Sequence, residues 1–412
     1  MSKLQVILNY VSKHNDFYKR IITENGIIDP EIIDQYPILS RQQLQSNRYN
    51  MFSDGYKSKY FSQQLRRQTS SGSSGMPVNV YWDYKDWYAS NLSLWRKRLQ
   101  WYGIHPNDKY MLFTLNGFNL TPNENTLYFI NKPANVMHIN VSLIQGDAGY
   151  DKLTSIINEF GPKWLYIQPF VLNKVISSYQ RMGVKPPPSL KYIESVGEYL
   201  SSDLRRRATQ CFEVPIANMY GSEEMNAIAF ECPNHHMHIL EDNVYVEVKN
   251  DEGIFRFGEG EAIITNLNNT AMPLVRYNQR DKIITTKLLS PCCCGCSDSV
   301  IKIIKGRSSD NLLVNNTEIN SYMLTELVAE TNNQFNDIIR EYKFVYSNKR
   351  QTLICYVKLN EDDELWYANV RKMLIRTIRN KFLHAPPFQF DVCKYCFNEP
   401  SNKKKKILEI ID

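Results

Sequence analysis

From Val78 to about residue 220, short runs of strand character alternate with longer runs of helical periodicity, and no other feature of the chain constrains its fold as much. Residues 78–82 read as a strand. A helix then starts at Asp83 and sets Tyr88, Leu92, Trp95, Leu99 and Tyr102 on one face, at steps of four and three. Strands at 110–115, 136–141, 163–167, 191–195 and 214–219 are interleaved with helices at 150–160, 171–182 and 200–209. Such alternation predicts an α/β domain built on a layered sheet. From 225 to 305 the strands become short and frequent (244–248, 261–265, 283–286, 300–304), which predicts a mainly β portion.

The pattern changes again after Gly306. A helix at 319–331, a hairpin formed by 341–346 and 352–359, a long amphipathic helix at 365–382 and a strand at 388–392 predict a small α+β domain of ordinary size. The boundary falls near 306–312, which divides the chain into domains 1–308 and 309–412. Residues 1–65 read as helical and irregular, with Ser40 as a helix N-cap and Gln43 three residues on as its capping-box partner. At 412 residues, two domains are the natural expectation.

Charge and cysteine usage exclude several classes. The net charge of +6 is mild and both signs are interspersed, which argues against a nucleic-acid partner. No apolar run approaches the ~20 residues that span a bilayer, so no membrane partner is expected. Met1-Ser2-Lys3-Leu4 lacks a secretory pattern, and the chain reads as cytoplasmic. Four of the nine cysteines sit in Cys292-Cys293-Cys294-Gly295-Cys296. Adjacent cysteines in a long chain of this kind suit metal coordination better than a disulfide framework.

Several short segments carry chemistry. Thr69 to Val78 packs hydroxyl side chains and two glycines between Arg66-Arg67 and a strand. Glycines let backbone N–H groups turn inward and hydroxyls add donors, so the loop can wrap an anion. A flexible linker has the same composition, and Met76 stands where a nucleotide-binding Walker loop would carry lysine. Tyr220-Gly221-Ser222-Glu223-Glu224 follows a strand, where open α/β sheets bind ligands, though a polar turn looks alike. Asp281, in Arg276 to Asp281, could accept both hydroxyls of a ribose, or belong to a surface ion-pair cluster. Gly306-Arg307 offers a hinge and a phosphate-binding fork, or a charged linker. Lys403 to Lys406 could neutralise phosphate, or be a solvated tail.

Taken in order, these segments resemble the adenylate-forming enzymes, in the branch of phenylacetate–CoA ligases, coenzyme F390 synthetase-like and capsule-cluster proteins. Asp16-Phe17-Tyr18-Lys19-Arg20 resembles the branch's Pro-Phe-Tyr-Arg opening, and Tyr36 to Leu44 its Leu-Pro-Ile-Leu-Thr-Lys-x-x-Leu. Ser70 to Pro77 is similar to its Thr-Ser-Gly-Thr-Thr-Gly-x-Pro phosphate loop. Tyr220 to Glu224 resembles Tyr-Gly-x-Thr-Glu, and Arg276 to Asp281 resembles Arg-Tyr-x-Thr-Gly-Asp. Gly306-Arg307 resembles the Gly-Arg hinge motif, and the resemblance covers nearly the whole chain.

The resemblance implies an adenylate-forming fold: a large N-terminal α/β domain with a β subdomain, and a small mobile α+β C-terminal domain. It implies that ATP and Mg²⁺ activate a carboxylic acid, an aryl or aryl-acetic acid by default, as an acyl-adenylate. The acceptor is then CoA, with an acyl-carrier protein or an amine left open. Oligomeric state is not fixed, and a homodimer stays open. By resemblance, Ser70, Ser71, Gly72, Ser73, Ser74 and Gly75 cradle phosphates, and Gly197-Glu198 line the adenine site. Tyr220, with Gly221 and Ser222, meets adenine; Glu224 holds Mg²⁺, with Glu223 as the alternative; Asp281 binds ribose, and Arg307 lies near ribose or phosphate. A mobile lysine, Lys404 or a neighbour in the same run, bridges α-phosphate and substrate carboxylate. The branch also carries an early Cys/His segment and a later cysteine pair, which here implies a structural zinc on Cys232, His238, Cys292 and Cys294, with Cys293 and Cys296 in alternative register. Three departures (Glu223 for Thr, Arg280 for Gly, Ser309 for the hinge Asp) keep a nucleotide-binding scaffold without ligase activity as the rival reading.

Overall fold

A computed structural model describes residues 1–70, 77–114, 126–307, 311–314, 317–335, 338–360, 363–382, 388–396 and 407–411. Ser71, Gly72, Ser73, Ser74, Gly75 and Lys403 to Lys406 lie outside this set, as does the side chain of Arg307. The chain divides into two compact units, Met1–His105 with Ala217–Ile304, and Pro106–Ile216 with Lys305–Asp412.

In the first unit, neighbouring strands run in the order Gly253–Phe255, Val244–Asn250, Gly258–Asn266, Tyr277–Thr286, Val300–Arg307, Met237–Ile239, Asn226–Glu231 and Ile216–Ser222. Four helices from the first 61 residues, Lys3–His14, Asp16–Glu24, Arg41–Ser46 and Tyr56–Phe61, accompany it. Their starts are chemically fixed. Ser2 and Gln5 form one capping box, Ser40 and Gln43 another, and Asn15 accepts from the amides of Phe17 and Tyr18. Leu8, Val11, Phe17 and Leu44 then bury against Val246, Ile264, Tyr277 and Ile283 in one core.

The segment between the helices Asp16–Glu24 and Arg41–Ser46 is pinned to the start of the strand Tyr277–Thr286. Leu39 N donates to Arg276 O and Leu39 O accepts from Asn278 N, each at 2.9 Å. The Arg276 guanidinium is buried against Glu247, with Nε at 3.0 Å from Oε2 and Nη2 at 2.6 Å from Oε1, and also donates to Tyr36 O at 3.0 Å. Arg276 is therefore a brace for the N-terminal segment, and its pairing keeps the Glu247 charge from being buried alone.

Along the helix Tyr84–Tyr102, Tyr88, Leu92 and Leu99 of the apolar stripe are exposed at 66%, 49% and 44%, while Trp95 and Tyr102 are half-buried. The helix buries Ser90, Ser93, Leu94 and Arg98 instead. Small serines allow close approach to the strand Asn226–Glu231, and the contact is made by hydrogen bonds. Asn226 Nδ2 donates to Ser90 Oγ at 2.6 Å, and Tyr102 OH donates to Glu231 O at 2.8 Å.

In the second unit, residues 106–216 form a parallel sheet in the order Tyr192–Val196, Trp164–Ile167, Tyr110–Thr114, Val136–Asn140, edged by the antiparallel strand Tyr128–Asn131. The helices Gly146–Phe160, Pro169–Met182 and Ser202–Phe212 share its core through Leu153, Ile157, Leu172, Val175 and Leu204. The near-continuous apolar strands are what a sheet covered by helices requires. Residues 305–412 carry a second sheet, ordered Gln389–Lys394, Thr352–Leu359, Ile339–Ser347, Leu408–Ile411, with the helices Ser321–Gln334 and Glu364–Lys381. Its core (Leu324, Phe344, Leu353, Val370, Leu374) has no buried residue in common with the other. Gly306, at the start of this segment, has φ +92°, and a Cβ there would lie 3.0 Å from Ser321 Oγ.

Candidate active site

The strands Arg66–Thr69 and Asn79–Trp82, which flank the Ser/Gly segment in sequence, pair antiparallel. Ser70 closes the neck of that segment twice: Ser70 N donates to Val78 O, and Ser70 Oγ accepts from Val78 N, each at 2.9 Å. A third contact links this neck to the rest of the site. Arg41 Nη2 donates to Ser70 Oγ at 2.7 Å, and Arg41 Nη1 lies 3.8 Å from Glu224 Oε1. Tyr277 OH donates to the same Glu224 oxygen at 3.3 Å. Burial and the Glu224 charge push the Tyr277 phenol upward, so it stays a donor.

Gly221 lets this acidic turn form. The strand Ile216–Ser222 pairs with Asn226–Glu231, and a Cβ on Gly221 would stand 2.5 Å from Asn226 O. No side chain fits there without moving backbone. Gly221→Ala is expected to destabilise by about 2 kcal/mol or more and to weaken nucleotide binding. Thermal melts with and without ATP check this, and an unshifted melt would show that the hairpin relaxes.

The two carboxylates of the turn differ. Glu224 is buried between Arg41 and Tyr277. Glu223 is reachable by solvent but crowded by protein. That crowding, with the Glu224 charge beside it, raises its carboxyl above the ordinary range, while Gln68, donating to Oε2 at 3.2 Å, opposes the rise. On the other side of the turn, Tyr220 OH donates to Asp281 Oδ2 at 2.7 Å, joining two of the sequence-selected residues. Arg280, which stands where the resemblance has glycine, adopts φ +62°, so the glycine-type turn survives with arginine in it. Asn278 Oδ1 accepting from Arg280 N at 2.8 Å holds that turn.

Gly197 and Glu198 belong to the second unit and follow the C-terminal end of the strand Tyr192–Val196. Gly197 has φ +78°, and Glu198 Oε2 accepts from Phe170 N at 3.3 Å, at the start of the helix Pro169–Met182. Arg41 is the residue that sequence reading passed over. It sits directly after the Ser40 cap, at the lysine position of the resembled Leu-Thr-Lys segment, and that was the available signal.

A second cluster lies in the first unit. One ligand atom each from Cys232, His238, Cys292 and Cys294 lie within 4.8 Å of one another. Cys232 Sγ and Cys292 Sγ are 3.9 Å apart, and Cys294 Sγ is 3.4 Å from His238 Nε2. A tetrahedral zinc would need about 3.8 Å and about 3.5 Å for these separations. His238 Nδ1 lies 3.2 Å from the Asp298 carbonyl, which makes Nδ1 the protonated nitrogen and leaves Nε2 to bind metal. The residues present therefore fit zinc. A tight turn sets the register, with Cys292 N donating to Cys296 O at 2.8 Å and Gly295 at φ +80°. Cys293 is exposed, and Cys296 is held instead by Lys97 Nζ at 2.9 Å and Asp298 Oδ2 at 3.0 Å.

No family model matches the chain. Along 98% of its length it is 22% identical to Protein CapK of Staphylococcus aureus, covering 87% of that protein. Over 190 residues it is 28% identical to the phenylacetate–coenzyme A ligase of Aromatoleum evansii, covering 44% of this chain and 42% of that one. The three-dimensional comparison decides the fold. The chain matches 2-hydroxyisobutyryl-CoA ligase in its postadenylation state with TM-score 0.78 at 16% identity, covering 98% of this chain and 87% of the other. The fold is that of the adenylate-forming ligases. Within this ligase fold, the pairs Tyr220–Asp281 and Arg41–Glu224 and the neck of the Ser/Gly loop all fall in one compact unit. Among the described residues, no helix is long and apolar enough to cross a membrane.

Proposed function

We propose that the chain is an adenylate-forming acid ligase, which joins a carboxylic acid to AMP at the expense of ATP and then passes the acyl group to CoA. The observation that carries this reading is the linkage of Ser70, Arg41 and Glu224, which ties the neck of an anion-wrapping loop to a buried carboxylate. The relatives named as phenylacetate–coenzyme A ligases support it, as do solved ligases of this fold that hold an acyl-adenylate or CoA. Tyr220 and Asp281 receive adenine and ribose, and the Ser/Gly loop receives the phosphates; by the same resemblance Gly197-Glu198 is assigned to adenine. Glu224 is the assigned Mg²⁺ ligand. Bound there, the metal would neutralise phosphate charge as it builds up in the transition state. The segment after Gly306, with Arg307 and Lys404, acts as the lid. Zinc on Cys232, His238, Cys292 and Cys294 is structural, since four protein ligands leave no open position. The acid is of the aryl or aryl-acetic class.

Pyrophosphate exchange tests this. With ATP, Mg²⁺ and a panel of carboxylic acids, at least one acid is expected to support exchange, and CoA should then release AMP and a thioester. ATP binding without exchange for any acid would replace the ligase with a nucleotide-binding scaffold.

A further inference from the structure

In the second unit, the segment after Gly306 meets residues 106–216 along a seam that is almost wholly polar. Among the described residues the two apolar cores stay separate, and hydrogen bonds, ion pairs and one ring contact cross between them. Glu326, on the helix Ser321–Gln334, is the centre of it. Its Oε1 accepts from Tyr199 OH at 2.7 Å and from Ser202 N at 3.3 Å, and its Oε2 accepts from Ser202 Oγ at 2.9 Å.

Ser202 is the first residue of the helix Ser202–Phe212, so the Glu326 carboxylate sits on an amide that the helix cannot satisfy internally, at the end where its dipole favours negative charge. The rings of Tyr199 and Tyr322 meet edge-on, 4.9 Å between centroids. Farther along, Lys174 Nζ pairs with Glu341 at 2.9 Å, Arg340 Nη2 with Asp147 at 2.7 Å, and Arg206 Nε donates to Asn333 Oδ1 at 2.9 Å.

We propose that Glu326 is a positioning residue: gripped by Tyr199 and Ser202, it latches the segment after Gly306 onto residues 106–216, and its release frees that segment to move. A seam of this kind is suited to reversible docking. Apolar burial would weld the two parts, whereas hydrogen bonds exchange with water at small net change. Tyr199 directly follows Gly197-Glu198, the segment assigned to the adenine side, so a nucleotide arriving there would act on the latch through its nearest neighbour. This coupling rests on the ligase reading; the latch itself does not.

Hydrogen exchange on the full chain without substrate tests the latch alone. In Glu326→Ala, amides at the start of Ser202–Phe212 and along Ser321–Gln334 are expected to exchange about 10-fold faster. The helix Glu364–Lys381 should keep its protection, which would show that the fold is intact. Glu326→Gln, which removes the charge but keeps an acceptor oxygen, should fall between the two. Glu330→Ala, an exposed change on the same helix, should do nothing. Unchanged exchange in Glu326→Ala, or equal acceleration in Glu330→Ala, would overturn the latch. With an acid that supports pyrophosphate exchange, added ATP should alter protection of Ser202–Phe212 in the wild type and leave Glu326→Ala unmoved. An identical response in both would overturn the coupling, while the absence of any such acid would count against the ligase reading and leave the first result standing.

Discussion

Cys292→Ser is expected to abolish the proposed zinc binding and to destabilise the unit that contains residues 217–304 by about 4 kcal/mol or more. Cys292 is one of four donors spaced for a tetrahedral ion, and it faces Cys232 across 3.9 Å. The stakes come from topology. Cys232 follows the strand Asn226–Glu231, His238 lies on Met237–Ile239, and Cys292 and Cys294 precede Val300–Arg307. The ion would thus staple three neighbouring strands at one end, where the strand Met237–Ile239 is only 3 residues long. Elemental analysis should find about one zinc per chain in the wild type and none in Cys292→Ser or His238→Ala. Cys296→Ser should keep its zinc, because Lys97 and Asp298 already engage that sulfur. A chelator should lower the melting temperature of the wild type to that of Cys292→Ser and leave the variant unchanged. Wild-type protein that melts alike with and without chelator would remove the structural role.

Glu224→Gln is expected to slow adenylate formation by about 10²-fold or more, with ATP affinity reduced far less. Its carboxyl group is buried with a cation 3.8 Å away and a phenol at 3.3 Å, so its oxygens are held in place before any ligand arrives. Glu223→Gln should behave differently. Crowding by protein, and the charge next door, already disfavour ionisation of Glu223. A carboxyl whose pKa is raised on folding contributes stability at acid pH that is lost as pH rises through the raised value. Neutralising Glu223 should therefore leave the melting temperature at pH 7 unchanged or higher. Its effect on rate should be small. Should Glu223→Gln instead be the more damaging change, the metal belongs on Glu223.

Much of the fold was legible because the α/β alternation depends on local periodicity. The strand Thr352–Leu359 and the helix Glu364–Lys381 fall within a residue of where the pattern put them. The capping box at Ser40 and Gln43 was readable for the same reason, as a contact over three residues. Contacts between remote residues were not. Arg41 reaches Ser70 and Glu224 from a segment that Leu39 ties to Tyr277, more than two hundred residues away. At Tyr84–Tyr102 periodicity reports which face is apolar and not which face is needed; the serine face offers the hydrogen bonds. In the cysteine run, four residues offered several ligand sets, and the turn at Gly295 sets which sulfurs converge. Arg280 shows the reverse case, a residue that breaks the glycine rule while the backbone keeps its conformation.

The first unit is assembled from two stretches of chain, Met1–His105 and Ala217–Ile304, with Pro106–Ile216 between them. During synthesis the first stretch must wait for more than a hundred residues before its partner strands emerge. Helices such as Lys3–His14 would spend that interval with Leu8 and Val11 uncovered. The intervening parallel sheet can form meanwhile from contacts closer in sequence. The newborn chain is thus most vulnerable in its N-terminal stretch. A ribosome stalled before residue 217 would present a chaperone with sticky N-terminal helices and an already folded α/β core.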